Sequence, residues 1–137
     1  NYLDGWTKRR QENAHRYEAL FKQSGLTEKG RVRLPEAVYR ASGQNHHHIY
    51  NQFVLRVEKR DALMTHLKEK GIGAEIYYPV PFHLQECFRY LGYKEGDFPE
   101  SERAAKETVA IPIYPELTEG QQQEVVDAIS TFYAKSN

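Results

Sequence analysis

The sequence has a single cysteine and no long apolar run, and both shortages limit what the protein can be. Cys87 has no partner within the 137 residues, so a framework of intrachain disulfides is excluded. This suits a protein of the reducing cytosol, where disulfides are rare. The longest apolar runs are far below the roughly 20 residues that a membrane-spanning helix needs, and no secretory signal is recognisable. We therefore expect a cytoplasmic protein without a membrane partner.

An excess of charge of one sign is also missing. Lysine and arginine total 19, aspartate and glutamate total 19, and the formal net charge is zero. Nucleic acids attract proteins with a basic excess, so we expect no nucleic-acid partner. The sequence also lacks a phosphate-cradling glycine loop, an internal repeat and a low-complexity tract. It begins without methionine, inside a predicted helix, so we expect it to be part of a longer polypeptide.

Aromatic residues, by contrast, are plentiful, with ten tyrosines and six phenylalanines. A chain of this length can bury roughly two-thirds of its unfolded surface, so one domain can fold without disulfides or metals. The hydrophobic periodicity predicts a mixture of helices and strands. In chain order these are a helix at 3–23, a short strand at 31–34, a strand at 49–57, a helix from 61, a strand at 72–78, a short helix at 84–91, a helix from 97, a strand at 109–113 and a helix from 118.

This order predicts an α/β fold, a two-layer sandwich in which helices cover a small sheet. In the strand at 49–57, Ile49, Phe53, Leu55 and Val57 alternate toward the core. Pro112 cannot donate a ladder hydrogen bond, so its strand is expected either at a sheet edge or with this donor position facing solvent. The order of the elements therefore predicts the fold class, and the alternation predicts which face of the strand at 49–57 is buried.

A short apolar stripe follows the strand predicted at 72–78. Leu84, Phe88 and Leu91 have helical spacing before Gly92, and we expect this stripe in the core.

The first helix carries Leu3, Trp6, Tyr17 and Phe21 on one face. We expect this face to pack against a domain outside the sequence, with Trp6 as the anchor. Residues 1–137 are then a single small domain in which residues 1–24 form the tethering helix. The isolated chain should expose an apolar patch and self-associate.

The most informative stretch is residues 76–91, where a strand enters a turn with two prolines. Pro79 and Pro81 each fix φ near −65° and bias the preceding residue toward an extended conformation, so the turn is rigid. A rigid turn loses little entropy when a ligand binds. Two interpretations stay open, because the rings can bind a ligand or pack over the edge of the core. The side chains held on this turn are those of Tyr77, Tyr78, Phe82 and His83.

The run His46, His47 and His48 suggests a metal site at first sight. Consecutive residues on an extended chain point to alternating faces, so the three imidazoles cannot all bind one ion. We expect a solvated turn and no metal site.

Several motifs occur in one order along the chain. Together they resemble the C-terminal part of the DegT/StrS family of pyridoxal-phosphate-dependent sugar aminotransferases. The motifs are HHIYNQFVLRV at 47–57, YYPVPFHLQ at 77–85, LGYKEGDFP at 91–99, ERAAKE at 102–107 and IPIYPELTEGQ at 111–121.

The resemblance implies a fold, an activity and a set of site residues. It implies the small C-terminal domain of a fold type I enzyme, with a mostly antiparallel sheet, in a homodimer with shared active sites. The implied reaction transfers an amino group, from glutamate, to a keto-sugar nucleotide. Tyr77, Tyr78 and His83 match positions that line the sugar-nucleotide end of the family's site, and Gln85 follows them. Phe82 stands where leucine is common in the family.

The groups that amino transfer requires are missing from this sequence. The reaction needs a lysine that forms an imine with pyridoxal phosphate, an acidic partner for the pyridine nitrogen and donors for the phosphate. None of the nine lysines stands in the family's motif, so we assign no catalytic or cofactor-binding residue and expect a missing N-terminal domain to bind the cofactor. Two alternatives stay open, a sugar dehydratase of the same family and a free-standing small-molecule-binding or regulatory module.

Overall fold

The computed structural model describes residues 2–135. In that range a three-stranded antiparallel sheet, ordered β1-β2-β3, packs with four α-helices, which confirms the predicted fold class. The described part contains no helix that is both long and apolar enough to cross a membrane. The strands are β1 Val32–Arg33, β2 Phe53–Val57 and β3 Thr108–Ile111, and the helices are α1 Leu3–Gln23, α2 Arg60–Glu69, α3 Pro99–Glu107 and α4 Glu119–Lys135, with short 3-10 helices at Arg40–Ser42, Phe82–Leu84 and Glu86–Leu91.

The core lies on one face of the sheet. Along β2, Phe53, Leu55 and Val57 are buried and alternate with half-buried Val54 and Arg56, so the predicted alternation is confirmed there. The buried side chains form one cluster with apolar residues of α1, α2 and α4. The other face, which carries Val54 and Arg56, borders α3, and the two faces therefore have different neighbours.

Helix α1 belongs to this core. Tyr17 and Phe21 are fully buried, and the Tyr17 hydroxyl donates a hydrogen bond to the carbonyl of Pro112 at 2.9 Å. The expectation that these two rings face a second domain is therefore wrong, because they complete the hydrophobic core of this chain. Leu3 and Trp6 remain exposed near the start of the helix.

A buried polar network fastens α1 to α4. The Asn13 side chain donates to the Tyr114 carbonyl at 2.8 Å, and the Gln122 side chain donates to the Asn13 carbonyl at 2.8 Å. Arg16 donates to the Gln122 side-chain oxygen at 2.9 Å. Each buried amide thus has a partner, as buried polar groups require.

The strand predicted at 72–78 is wrong. Only Glu75 pairs with the sheet, through two hydrogen bonds of 3.0 and 2.8 Å to Ala110. The next rungs of an antiparallel ladder would fall two residues away along β3, at Pro112 and Thr108. Pro112 has no N–H, while the Thr108 N–H donates to the last turn of α3 and its carbonyl accepts a guanidinium from α2. The ladder therefore stops after one rung, and the chain is free to turn.

The strand predicted at 49–57 begins only at Phe53. Ile49, expected on the core face, is half exposed, and Tyr50 is fully buried instead. Tyr50 has a φ of +44°, and its N–H donates to Nδ1 of His48 at 3.0 Å. This local bond bends the chain, so the period of two does not extend upstream of β2.

The core stripe predicted at 84–91 is also wrong. The segment forms 3-10 helices, and Leu84 and Leu91 are 37% and 50% exposed. Because a 3-10 helix has three residues per turn, residues four apart do not share a face. The predicted end at Gly92 is confirmed, since its φ of +76° favours glycine.

The helix predicted from 118 begins at Glu119, directly after Thr118, whereas the helix predicted from 97 begins two residues later, at Pro99. Pro99 occupies the start of α3, where its missing N–H costs nothing. Thr118 and Gln121 make a reciprocal capping box before α4. Only α4 therefore has a side-chain cap at its start, because Phe98 before α3 makes no capping hydrogen bond.

Candidate functional site

The proline-containing turn and α3 border a cleft on the outer face of the sheet. Val54 and Ala110, partners across the β2–β3 ladder, line its sheet side, and Ala104 and Ala105 of α3 line a second side. The volume is about 390 Å³. We call it the aromatic cleft, because its remaining wall includes Tyr77, Tyr78, Val80, Pro81 and Phe82.

Two of the predicted site residues, Tyr77 and Tyr78, lie together on this cleft. Their side chains are 52% and 63% exposed. Within the described part of the chain, neither hydroxyl makes a hydrogen bond, so both can donate to a ligand. The ring of Tyr78 lies 5.7 Å from that of Phe82, which supports it from one side.

The turn that presents these rings is held by short-range bonds. Pro81 has a φ of −57° and its carbonyl accepts the Leu84 N–H at 2.9 Å. The Gln85 side chain donates to the Val80 carbonyl at 3.3 Å. Gln85, the third predicted site residue, therefore braces the turn and does not line the aromatic cleft.

His83, the fourth predicted site residue, lies on a different cleft. Its side chain is buried, and its ring packs on Phe98 with the ring centroids 4.8 Å apart. It lines a cavity of about 300 Å³ together with Phe82, Phe88 and Leu91. We call this cavity the His83 cleft. Phe82 lines both clefts and separates His83 from the tyrosines.

A carboxylate holds the His83 ring in place. Nε2 of His83 lies 2.9 Å from Oε1 of Glu102, and that oxygen also accepts the N–H groups of Gly96 at 2.9 Å and Phe98 at 3.4 Å. Burial alone would raise the pKa of Glu102, but the hydrogen bonds from Gly96, His83 and Phe98 outweigh it. The net result is a pKa below the ordinary value.

This arrangement selects a tautomer. An ionised Glu102 can only accept, so neutral His83 carries its proton on Nε2. Nδ1 is then the atom left with a lone pair for another donor. In this neutral form, Nδ1 of His83 accepts a hydrogen bond.

Reasoning from the sequence does not single out Glu102 or Phe98 as part of the site. They stand 19 and 15 residues beyond His83, and their contacts depend on how the loop after Gly92 returns to the turn. One signal was present, because Glu102 lies in the first turns of the predicted α3, where a carboxylate stabilises the helix dipole.

Residues 2–135 offer no fitting site for pyridoxal phosphate. All nine lysines are exposed, and none lines the aromatic cleft or the His83 cleft. An internal imine needs a lysine held inside the site, with a lowered pKa. The residues present therefore do not fit the cofactor, and no step of its chemistry is assigned to them.

The three consecutive histidines lie near one another but have different partners. His46 faces an aspartate of α1 at 3.4 Å, His47 contacts an upstream carbonyl at 3.1 Å and His48 accepts the Tyr50 N–H. In residues 2–135, no group of three or more potential ligands is arranged to hold a metal ion.

Comparison with known proteins gives a consistent family. Residues 1–130 match the DegT/DnrJ/EryC1/StrS aminotransferase family. A "Pleiotropic regulatory protein" of Geobacillus stearothermophilus is 43% identical over 96% of this chain and 33% of its own length. The dTDP-3-amino-3,4,6-trideoxy-alpha-D-glucose transaminase of Streptomyces venezuelae is 32% identical over 93% of this chain and 31% of its own length.

A solved structure agrees with this result. The crystal structure of S. venezuelae DesV in complex with a ketimine intermediate superposes with a TM-score of 0.79 at 31% identity, over 96% of this chain and 33% of that one. The chain thus spans about a third of the length of the relatives it matches. Its sequence, its fold and its motifs together place it in the DegT/DnrJ/EryC1/StrS aminotransferase family.

Proposed function

We propose that the protein is a pyridoxal-phosphate-dependent aminotransferase that moves an amino group from glutamate to the keto group of a nucleotide-linked sugar. This chain supplies one wall of the substrate site, and residues outside it bind the cofactor. Residues 1–24 connect this domain to the cofactor-binding domain. The whole enzyme acts as a cytoplasmic homodimer.

One observation carries the proposal. Tyr77 and Tyr78 present two flat rings with unbonded hydroxyls on a cleft of about 390 Å³, on a turn stiffened by two prolines. Sugar rings and nucleobases bind to such surfaces through stacking and through hydrogen bonds to hydroxyl groups. The family match and the S. venezuelae transaminase, whose name specifies a dTDP-linked amino sugar, give the substrate class.

The residues of the chain have separate roles in this proposal. The tyrosine rings pack on the substrate, and their hydroxyls donate to its oxygen atoms. His83 accepts a hydrogen bond at Nδ1, because Glu102 occupies Nε2. Gln85 does not touch the substrate in this proposal. It supports the binding site by holding the turn through its hydrogen bond to the Val80 carbonyl.

A second candidate comes from a different class. A relative that is 43% identical is called a pleiotropic regulatory protein, which favours the free-standing or full-length regulatory role. A sugar dehydratase of the same family would use the same wall. Of the three candidates, only the aminotransferase passes the amino group of glutamate to a supplied keto-sugar nucleotide.

The test is an amino-transfer assay with the full-length protein. Formation of 2-oxoglutarate from glutamate is followed with a panel of keto-sugar nucleotides. Tyr78→Phe removes one hydroxyl and keeps the ring, so kcat/KM should fall by roughly fivefold or more. His83→Ala should lower kcat/KM and leave the cofactor absorbance unchanged.

Tyr90→Phe is the matched control, since Tyr90 is 80% exposed and lines neither cleft. Its kcat/KM should equal that of the wild type. If Tyr78→Phe and His83→Ala lose only thermal stability, the site assignment is wrong. If no keto-sugar nucleotide supports 2-oxoglutarate formation, the aminotransferase proposal itself fails.

A further inference from the structure

The outer face of the sheet carries two arginines directly opposite each other. Arg33 on β1 and Arg56 on β2 are partners in the antiparallel register. Directly opposite residues have Cβ atoms roughly 4.5–5.5 Å apart on the same face. Arg33 follows buried Val32, and Arg56 lies between buried Leu55 and Val57. Successive side chains of a strand point to opposite faces, so both guanidinium groups point away from the core. Two like charges in this position repel each other and destabilise the sheet.

The neighbouring arginines have acidic partners, but these two do not. Arg31 pairs with Glu58, and Arg103 pairs with Glu100. For Arg33 and Arg56, the described part of the chain supplies neither a carboxylate within 4.0 Å nor a hydrogen bond. Each guanidinium keeps five N–H donors for an acceptor from outside the chain.

Both arginines line a groove of about 700 Å³, together with Arg103 and Lys106 of α3. Seven basic and three acidic side chains line this groove, which we call the arginine groove, although the whole chain has zero net charge. Paired guanidinium groups match the oxygens of a phosphate or diphosphate in geometry and in charge.

The arginine groove continues into the aromatic cleft. A depression of about 420 Å³ between them is lined by Arg33 and Arg56 and also by Val54 and Thr108. Val54 and Thr108 line the aromatic cleft as well. Val54 and Arg56 are two residues apart on one strand, which is about 7 Å. One extended ligand can therefore contact both the tyrosines and the arginines.

We propose that Arg33 and Arg56 bind the diphosphate of the nucleotide-sugar substrate while Tyr77 and Tyr78 contact its rings. This inference rests on the proposed function for the identity of the ligand. The repulsion between Arg33 and Arg56 destabilises the sheet in the free protein. The negative charge of the bound diphosphate offsets this repulsion.

The test uses the full-length protein and the double variant Arg33→Gln/Arg56→Gln. Calorimetry measures the binding of inorganic diphosphate, thymidine diphosphate and thymidine. The variant should bind both diphosphates about tenfold more weakly, or worse, because it loses charge-assisted hydrogen bonds. Thymidine binding should not change, KM for the nucleotide sugar should rise, and thermal stability should not fall, because a repulsion has been removed.

Arg9→Gln is the matched control, since Arg9 is exposed on α1 and lines neither cleft nor the arginine groove. Unchanged affinity of the double variant for inorganic diphosphate overturns the inference. Weaker diphosphate binding with an unchanged KM overturns the substrate assignment, because the arginines then bind a separate phosphate anion. If the wild type aminates no nucleotide sugar, the proposed function fails, and the titration with inorganic diphosphate still decides whether the arginines bind an anion.

Discussion

Nε2 of His83 lies 2.9 Å from Oε1 of Glu102, and this single contact joins the proline-containing turn to α3. The same carboxylate oxygen accepts the N–H groups of Gly96 and Phe98, so one atom organises the turn, the loop and the start of the helix. The bond therefore supports the site in two ways, by holding the histidine ring and by setting its tautomer.

The first prediction concerns acid stability. The folded-state pKa of Glu102 lies below its ordinary value of 4.5. A group with a lowered folded pKa stabilises the protein above its unfolded pKa, and this contribution is lost as the pH falls through the folded value. Glu102→Gln should therefore unfold more easily at neutral pH and lose less stability than the wild type between pH 5 and pH 3. Urea unfolding at several pH values measures this difference.

Glu124→Gln is the control for Glu102→Gln, because Glu124 is exposed on α4 and its side chain has no ion pair or hydrogen bond among the described residues. It should keep the pH dependence of the wild type. Parallel curves for Glu102→Gln and the wild type would show that the carboxylate does not hold the turn.

The second prediction concerns the network between α1 and α4. Gln122 is fully buried and bonds Asn13 and Arg16. Gln122→Leu leaves these groups without partners and should lower the free energy of unfolding by about 2 kcal/mol. Gln123→Leu, on the exposed side of the same helix turn, should change it by less than about 0.5 kcal/mol. Equal urea midpoints for the two variants would contradict this account.

The third prediction concerns alkaline stability. Burial, with a smaller contribution from Glu58, raises the pKa of Tyr133 to about 12, and its hydroxyl donates to the Glu58 carbonyl at 2.6 Å. A raised pKa gives stability that is complete below pH 10 and is lost as the pH rises toward 12. Tyr133→Phe should cost about 1 kcal/mol at pH 7 and lose less than the wild type above pH 10. Chemical unfolding at pH 7 and at pH 11 measures both effects, and an unchanged alkaline loss would contradict them.

The fourth prediction concerns the cofactor. Because all nine lysines are exposed, the 137-residue chain alone should form no specific imine with pyridoxal phosphate. Borohydride reduction followed by mass spectrometry should find only scattered substoichiometric adducts. A stoichiometric adduct at one lysine would place cofactor chemistry in this chain.

How much the sequence predicts depends on the range of the interaction. The alternation along β2 and the start of the helix from 118 depend on local interactions, and the sequence predicts both. The segment 72–78 has the composition of a strand, but its pairing ends because Pro112 lacks an N–H and Thr108 is already bonded. The sequence of 72–78 itself carries no sign of this.

In the candidate site, too, the local features can be predicted from the sequence and the long-range contacts cannot. Tyr77 and Tyr78 could be selected because the prolines beside them signal a rigid turn. The bond from His83 to Glu102 could not, since it joins residues 19 positions apart through an irregular loop. The pairing of Arg33 with Arg56 depends on strand register across a 23-residue separation, which the sequence does not specify.

The bond between the Gln122 side chain and the Asn13 carbonyl has a consequence for biosynthesis. It spans 109 residues, and the bond from Asn13 to Tyr114 spans 101. At ribosomal rates of roughly 5–20 residues per second, α1 leaves the ribosome about 5–20 s before α4 can join it. During that interval Phe53 can already pack on Tyr17, but Asn13 and Arg16 lack their partner Gln122. The part of α1 around Asn13 therefore stays open to chaperones and proteases until α4 is made.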